Sequence, residues 1–361
     1  MRFCGWLRKG RGDSELPMKT NFRSTPWGAT LLTLAVACVG AALGWLIHAP
    51  IYLLTGPAVA VSLAGVVGVR VQVHPHFREG CFVVLGLTVG AGFSTQALET
   101  MQRWPLAFLM MAGLTWATMA ACRAVLVRFF DYAPRSALLA GAPGHLSFVV
   151  AMAEQAGSDV VRVSVTQSVR LLLLTLVVPV VAVAMGVDLD GAMMPQGAVW
   201  PLWVLGVLAV LALGVSVLLG RWSVPAPLLI GAMLVAGVWQ LSGLRSGVMP
   251  SWLVMPAYVA LGALIGTRFA GVTLAELLRN LAAGLAITGV AVILSAAGAL
   301  PVAWALGMQP SHVLLAFAPG GLETMIAMGL VMGAVPGFVA ACHMTRLMVL
   351  SVLLPLMAGR R

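Results

Sequence analysis

The stretch Gly141-Ala142-Pro143-Gly144-His145-Leu146-Ser147 is answered, 176 residues further along, by Phe317-Ala318-Pro319-Gly320-Gly321-Leu322-Glu323. From that anchor the register continues without a gap. Ala151-Met152 meets Ala327-Met328, Gly157 meets Gly333, Arg170-Leu171 meets Arg346-Leu347, and Pro179 meets Pro355. Upstream, Gly86, Gly90 and Phe93 meet Gly262, Gly266 and Phe269 at the same offset, and Gly56 meets Gly231 with a one-residue slip. A match of this length predicts an internal duplication, and a residue kept in both copies is a candidate for a symmetric site.

Composition sets the solvent. Hydrophobic residues make up 61% of the 361-residue chain and charged residues 9%, and the mean hydropathy is +1.01. A soluble domain carries roughly 25% charged residues, so this chain is expected to be an all-α, polytopic integral membrane protein with the lipid bilayer as its partner. The net charge of +10 does not point to nucleic acid, because six of the 21 Lys and Arg (Arg2, Arg8, Lys9, Arg11, Lys19 and Arg23) precede residue 28. A basic flank before a first apolar helix is what the positive-inside rule expects of a cytoplasmic N-terminus. The five cysteines are scattered, with no paired spacing for a zinc or disulfide framework. No nucleotide-binding, hydrolase or metalloprotease motif occurs, so no enzyme, catalytic residue, cofactor or metal is expected.

Apolar segments near 28–47, 50–69, 80–98, 104–126, 136–155 and 160–185 are followed by a second set near 199–219, 225–243, 253–270, 279–304, 311–332 and 337–357. The expected division is a basic tail 1–27, repeat 28–186, linker 187–198 with Asp188 and Asp190, repeat 199–357, and a tail 358–361. The fifth segment of each half carries Pro-Gly in its middle, which removes a donor and loosens the helix. Twelve plain crossings would make the two halves parallel; if these two segments instead enter and return without crossing, each half crosses five times and the halves are inverted. That arrangement leaves only Arg103 and Arg245 among outside loop cations and is the one the charge distribution prefers.

Arg170 and Arg346 lie about ten residues into their apolar segments, roughly 15 Å deep at 1.5 Å per residue. That is close to the midplane of a core about 30 Å thick. An arginine there costs several kcal/mol unless it is paired, solvated or bonded to carbonyls. Two readings follow: a pair of guanidinium forks for a small carboxylate or phosphate, or two ties holding carbonyls freed by the broken helices. Gln167 and His343, at i−3, face the same way. The breaks at Pro143-Gly144 and Pro319-Gly320-Gly321 expose N–H groups and a positive helix end to the midplane. Glu323, opposite Ser147, is expected to cap the second half-helix, to pair with Arg346 or to carry a proton.

The duplicated Pro-Gly-x-Leu…Gly…Arg…Pro pattern, Pro143-Gly144 with Arg170 and Pro319-Gly320-Gly321 with Arg346, resembles the bacterial AbrB-type membrane protein family over nearly all of 28–357. The first copy departs from it with His145 where a second glycine is usual. The resemblance implies a bacterial inner-membrane protein, described as a regulator of the expression of the alkylation-response protein AidB, with an ammonia monooxygenase label on some relatives. The family name coincides with that of a soluble DNA-binding regulator, but this sequence contains no domain large enough to read DNA and no copper or iron ligand set.

The residues favour a secondary transporter or permease holding a small anion between the two breaks, with Arg170, Arg346, Gln167, His343 and Glu323 as site residues. Rocking of one half against the other would give alternating access. The competing expectations are a membrane regulator acting through a metabolite or partner, and a structural scaffold. A homo-oligomer is compatible with each.

Overall fold

In the computed structural model, residues 27–93, 104–144, 146–189, 197–222 and 224–358 are described. The basic tail before Trp27, Arg103, His145, Asp190, Arg360, Arg361 and the side chains of Ser147 and Pro355 lie outside the described residues.

Fourteen α-helices are described: α1 Trp27–Leu46, α2 Tyr52–Val66, α3 Pro75–Ala91, α4 Pro105–Phe129, α5 Pro134–Gly141, α6 Leu146–Gln155, α7 Val160–Ala184, α8 Leu202–Arg221, α9 Pro227–Leu241, α10 Ser251–Gly266, α11 Leu274–Leu306, α12 Pro310–Phe317, α13 Leu322–Val331 and α14 Pro336–Ala358. A short 3-10 turn, Thr267–Phe269, follows α10. Proline opens α3, α4, α5, α9 and α12, where its missing N–H costs no intrahelical bond. Thr273 and Glu276 form a reciprocal capping box at the start of α11, and Gly307 ends that helix in the left-handed conformation.

Seven of the described helices are long and apolar enough to cross a bilayer, while α2, α9 and α13 are apolar but shorter. The chain is therefore an all-α, multi-pass membrane bundle. The expected segments 136–155 and 311–332 are each two short helices, α5/α6 and α12/α13. The breaks fall at Ala142 (ψ 124°) and Ala318 (ψ 130°), both extended. The 8-residue length of α5 and of α12 corresponds to about 12 Å, too short to cross. Gly157 and Gly333 follow α6 and α13 with φ of 61° and 69°, the left-handed turn that glycine tolerates best.

Packing divides the helices into two groups that cut across the sequence halves. In the first, α1 packs on α2, α8 on α9, α3 on α9, and α10 on α2 and α3. In the second, α4 and α11 pack together, α11 lies on α7, α14 lies on α4, the short helices α5 and α6 pack on α7, and α12 and α13 pack on α14. The glycines expected to allow close approach do so across the halves. A Cβ on Gly86 or Gly90 of α3 would collide with backbone of α9 at Leu229 or Met233. In mirrored fashion, a Cβ on Gly262 of α10 would collide with the Leu54 carbonyl of α2, and one on Gly266 with Val61.

Contacts also fix direction. Tyr132, just beyond α4, donates to Asn280 near the start of α11 at 3.0 Å. Cys122 lies at Ile287 and Leu114 beside Gly298. Numbers fall on one helix as they rise on the other, so α4 and α11 run antiparallel. The first hairpin begins and ends at one face, because Arg162 of α7 donates to the carbonyls of Phe130 (2.6 Å) and Asp131 (3.1 Å) ahead of α5. The second does likewise, with a ring nitrogen of His312 at 3.1 Å from the Met332 carbonyl. Its return lies beside the beginning of α4, where Trp104 meets Phe338 edge-on at 5.4 Å. The two hairpins therefore enter from opposite faces.

Candidate functional site at two broken hairpins

Arg170 is the eleventh residue of α7 and Arg346 the eleventh of α14. Both are buried, 1% and 3% exposed. Arg170 donates to the carbonyls of Gly141 (3.3 Å) and Ala142 (3.1 Å). Arg346 donates to those of Phe317 (2.8 Å), Ala318 (2.8 Å) and Ala316 (3.4 Å). The acceptors correspond in the two copies: they are the carbonyls left open where α5 and α12 end. A helix C-terminus carries partial negative charge, and a hydrogen bond to a charged group contributes about 1.5–3 kcal/mol, so each cation is solvated by its own broken helix.

The flanking residues have diverged. Gln167 donates to the carbonyls of Leu139 (2.7 Å) and Ala142 (3.2 Å) and accepts from Arg170 at 3.3 Å, completing a first-copy clamp. At the corresponding place His343 is bonded through Nδ1 to the Val339 carbonyl of its own helix at 3.0 Å. Arg346 instead has Met111 sulfur at 3.5 Å, and Ser295 joins it on the Phe317 carbonyl at 3.0 Å.

The two breaks meet. One cavity of about 30 Å³ is lined by Pro143 and Gly144 from the first and by Gly320, Gly321 and Glu323 from the second, together with His343, Arg346 and Arg268. Pro319 lines a smaller adjoining space with Arg346 and Pro143. Arg170 and Gln167 stand behind the first break and do not line either space. A volume of 30 Å³ holds about one water. Glu323 lies in the first turn of α13, where a carboxylate complements the positive helix end.

Arg268 is the member that duplication could not find. It sits in the 3-10 turn after α10, and the residue at its place in the first copy is Gly92. Its charge interacts with that of Glu323, itself without a charged counterpart. The signal was an arginine directly after the Gly262/Gly266 face that carries α10 into the bundle. No group of three or more His, Cys, Asp or Glu side chains gathers among the described residues.

A family model described as "Transition state regulatory protein AbrB" matches residues 53–360. The chain belongs to the AbrB family. Among AbrB-family relatives, it is 28% identical over 291 residues to the Escherichia coli (strain K12) protein named "Putative regulator AbrB", covering 77% of this chain and 81% of that one. It is 25% identical over 297 residues to "Uncharacterized protein YhjN" of Bacillus subtilis (strain 168), covering 76% and 75%. The AbrB match spans both hairpins and both buried arginines.

Proposed function

We propose that this AbrB-family chain is a secondary transporter that binds a small anion where its two broken hairpins meet. The observation that carries the reading is the cavity that both breaks line together. Arg268, Arg346 and the carboxylate of Glu323 all line it, and the helix starts of α6 and α13 add positive potential. Pro143, Gly144, Pro319, Gly320, Gly321 and His343 shape the site. Arg170 and Gln167 act one step back, by holding the first break open.

On this reading residues 28–186 and 199–357 are inverted repeats, each of five crossings and one re-entrant hairpin, with the tail 1–27, linker 187–198 and tail 358–361 outside them. The antiparallel course of α4 and α11, which occupy corresponding places in the two halves, supports it. Orientation follows from charge. The ends of α2, α4 and α10 and the starts of α3, α5, α7 and α11 carry Arg70, Arg78, Arg128, Arg135, Arg162, Arg268 and Arg279, so that face is cytoplasmic by the positive-inside rule. The opposite face has Arg245 and Asp188.

The moving parts are the two helix groups rather than the two sequence halves. The halves interlock through Gly86 and Gly90 on α9 and Gly262 and Gly266 on α2, contacts that a rocking of half against half would break. The group holding the hairpins makes fewer contacts with the α1–α3/α8–α10 group than each makes within itself.

The test is counterflow in proteoliposomes with a panel of phosphate, sulfate, chloride and small carboxylates. Uptake of one anion by the wild type, lost in a folded Gly321→Leu variant whose cavity is filled, supports transport. No uptake of any member overturns it. The second reading is a membrane regulator, favoured by the description of the matching family and the name of the Escherichia coli relative. It predicts that deleting residues 1–26 abolishes a gene-expression phenotype without altering anion binding.

A further inference from the structure

We infer that Glu323 is a tethered stand-in for the ligand: its carboxylate holds the anion position near Arg268, and the site accepts a small monocarboxylate by exchanging it for this side chain. The inference rests on the transport reading and specifies its substrate class.

Three observations converge on it. The first concerns which cation is available. Arg346 is engaged with the carbonyls of Ala316, Phe317 and Ala318, whereas Arg268 donates no hydrogen bond to another described residue and still lines the cavity. A guanidinium fork with open donors is the group suited to a carboxylate.

The second is space. Glu323 is half-buried, and Oε2 would stand 3.9 Å from a Cβ placed on Gly321, so the carboxylate folds back over the break. With about 30 Å³ left, room for roughly one water, a second carboxylate does not fit beside it. An incoming carboxylate would take the place of this side chain, which favours a group of similar size and charge.

The third is symmetry. The breaks and the arginine clamps are present in both copies, while Arg268 and Glu323 stand opposite Gly92 and Ser147. The duplicated residues hold backbone; the pair found in one copy has no backbone duty that the other copy needs. The ionisable groups lining the cavity with Glu323 are Arg268 from the turn after α10 and His343 and Arg346 from α14; α3 and α12 contribute none.

The experiment measures acetate affinity of the full chain in lipid nanodiscs by acetate-dependent thermal stabilisation. Wild type is compared with Glu323→Gln, Glu323→Ser (the residue of the first copy) and Glu323→Gln combined with Arg268→Gln. Removal of the tethered carboxylate is expected to tighten acetate binding about tenfold, the equivalent of about 1.4 kcal/mol and of the order of a charge interaction discounted for solvent screening. Loss of Arg268 should erase that gain. Equal or weaker acetate binding by both Glu323 variants, or a gain that survives Arg268→Gln, overturns the inference. Such a result leaves transport itself to the wild-type counterflow panel, whose other anions do not depend on acetate.

Discussion

The Arg346 guanidinium donates to the Ala318 carbonyl at 2.8 Å across 28 residues of chain, and Arg170 spans the same 28 residues to Ala142 at 3.1 Å. Two buried cations and two broken helices thus solve one another's problem. The arginine would be intolerable in hydrocarbon without acceptors, and the Gly141 and Ala318 carbonyls at the ends of α5 and α12 would lose a charged donor without it.

Removing either arginine therefore strands carbonyls rather than merely emptying a site. Arg346→Gln is expected to destabilise by about 1–3 kcal/mol for each buried carbonyl left without a partner. Arg170→Gln should lose less, because its bonds are longer and Gln167 also serves the Ala142 carbonyl. Thermal unfolding of the purified variants checks both the size and the order; an equal loss, or a greater one at Arg170, contradicts this account.

The glycine contacts between α3 and α9 and between α10 and α2 should be matched in sensitivity. Gly86→Val and Gly262→Val each drive a side chain into a carbonyl of the facing helix, so both should sharply reduce the yield of folded protein. Gly113→Val on α4 meets open space and should be tolerated. Size-exclusion profiles of the three in detergent decide the matter.

Antiparallel packing of α4 and α11 predicts a specific cross-link. Leu114→Cys paired with Gly298→Cys should form a disulfide under mild oxidation, since a Cβ on Gly298 lies 3.3 Å from the Leu114 side chain. Leu114→Cys with Ala282→Cys, well over 20 Å away along the helix at 1.5 Å per residue, should not. Mobility on non-reducing gels reads the result.

The re-entrant course of the first hairpin and the proposed orientation share a test. Arg135 and Glu154 are exposed on either side of that hairpin, and Arg245 is exposed at the other face. Single cysteines at Arg135 and Glu154 should both be labelled by an impermeant thiol reagent from the cytoplasmic side alone, and one at Arg245 from outside alone. Labelling of Arg135→Cys and Glu154→Cys from different sides would mean that α5 and α6 cross.

Much of this was legible because the register was rigid. Pro134 and Pro310, Gly141 and Phe317, and Gly157 and Gly333 bound the same elements at one constant offset, so one copy predicted where the other would break. Glycine spacing at Gly86/Gly90 and Gly262/Gly266 correctly marked close approach. It did not say to what, because a small residue removes bulk on its own helix without naming the neighbour. The carbonyl clamps were foreseen only as one of two options, since burial depth fixes that an arginine needs partners and not which ones. Arg268 escaped for the opposite reason: a search for repeated residues passes over anything placed in one copy alone.

The exchange of packing between the halves also has a consequence for how the chain is made. The Gly86/Gly90 face of α3 is finished long before Leu229 and Met233 of α9, its partners, leave the ribosome. More than a hundred residues of synthesis separate the two, and over that interval the first half sits in the bilayer with its closest-packing surface unmatched. Those surfaces can close only after α9 has been made, and two separate half-length chains would present the same surfaces to each other. A gene split within 187–198 should consequently yield activity only when both fragments are made together, each completing the other as two subunits would.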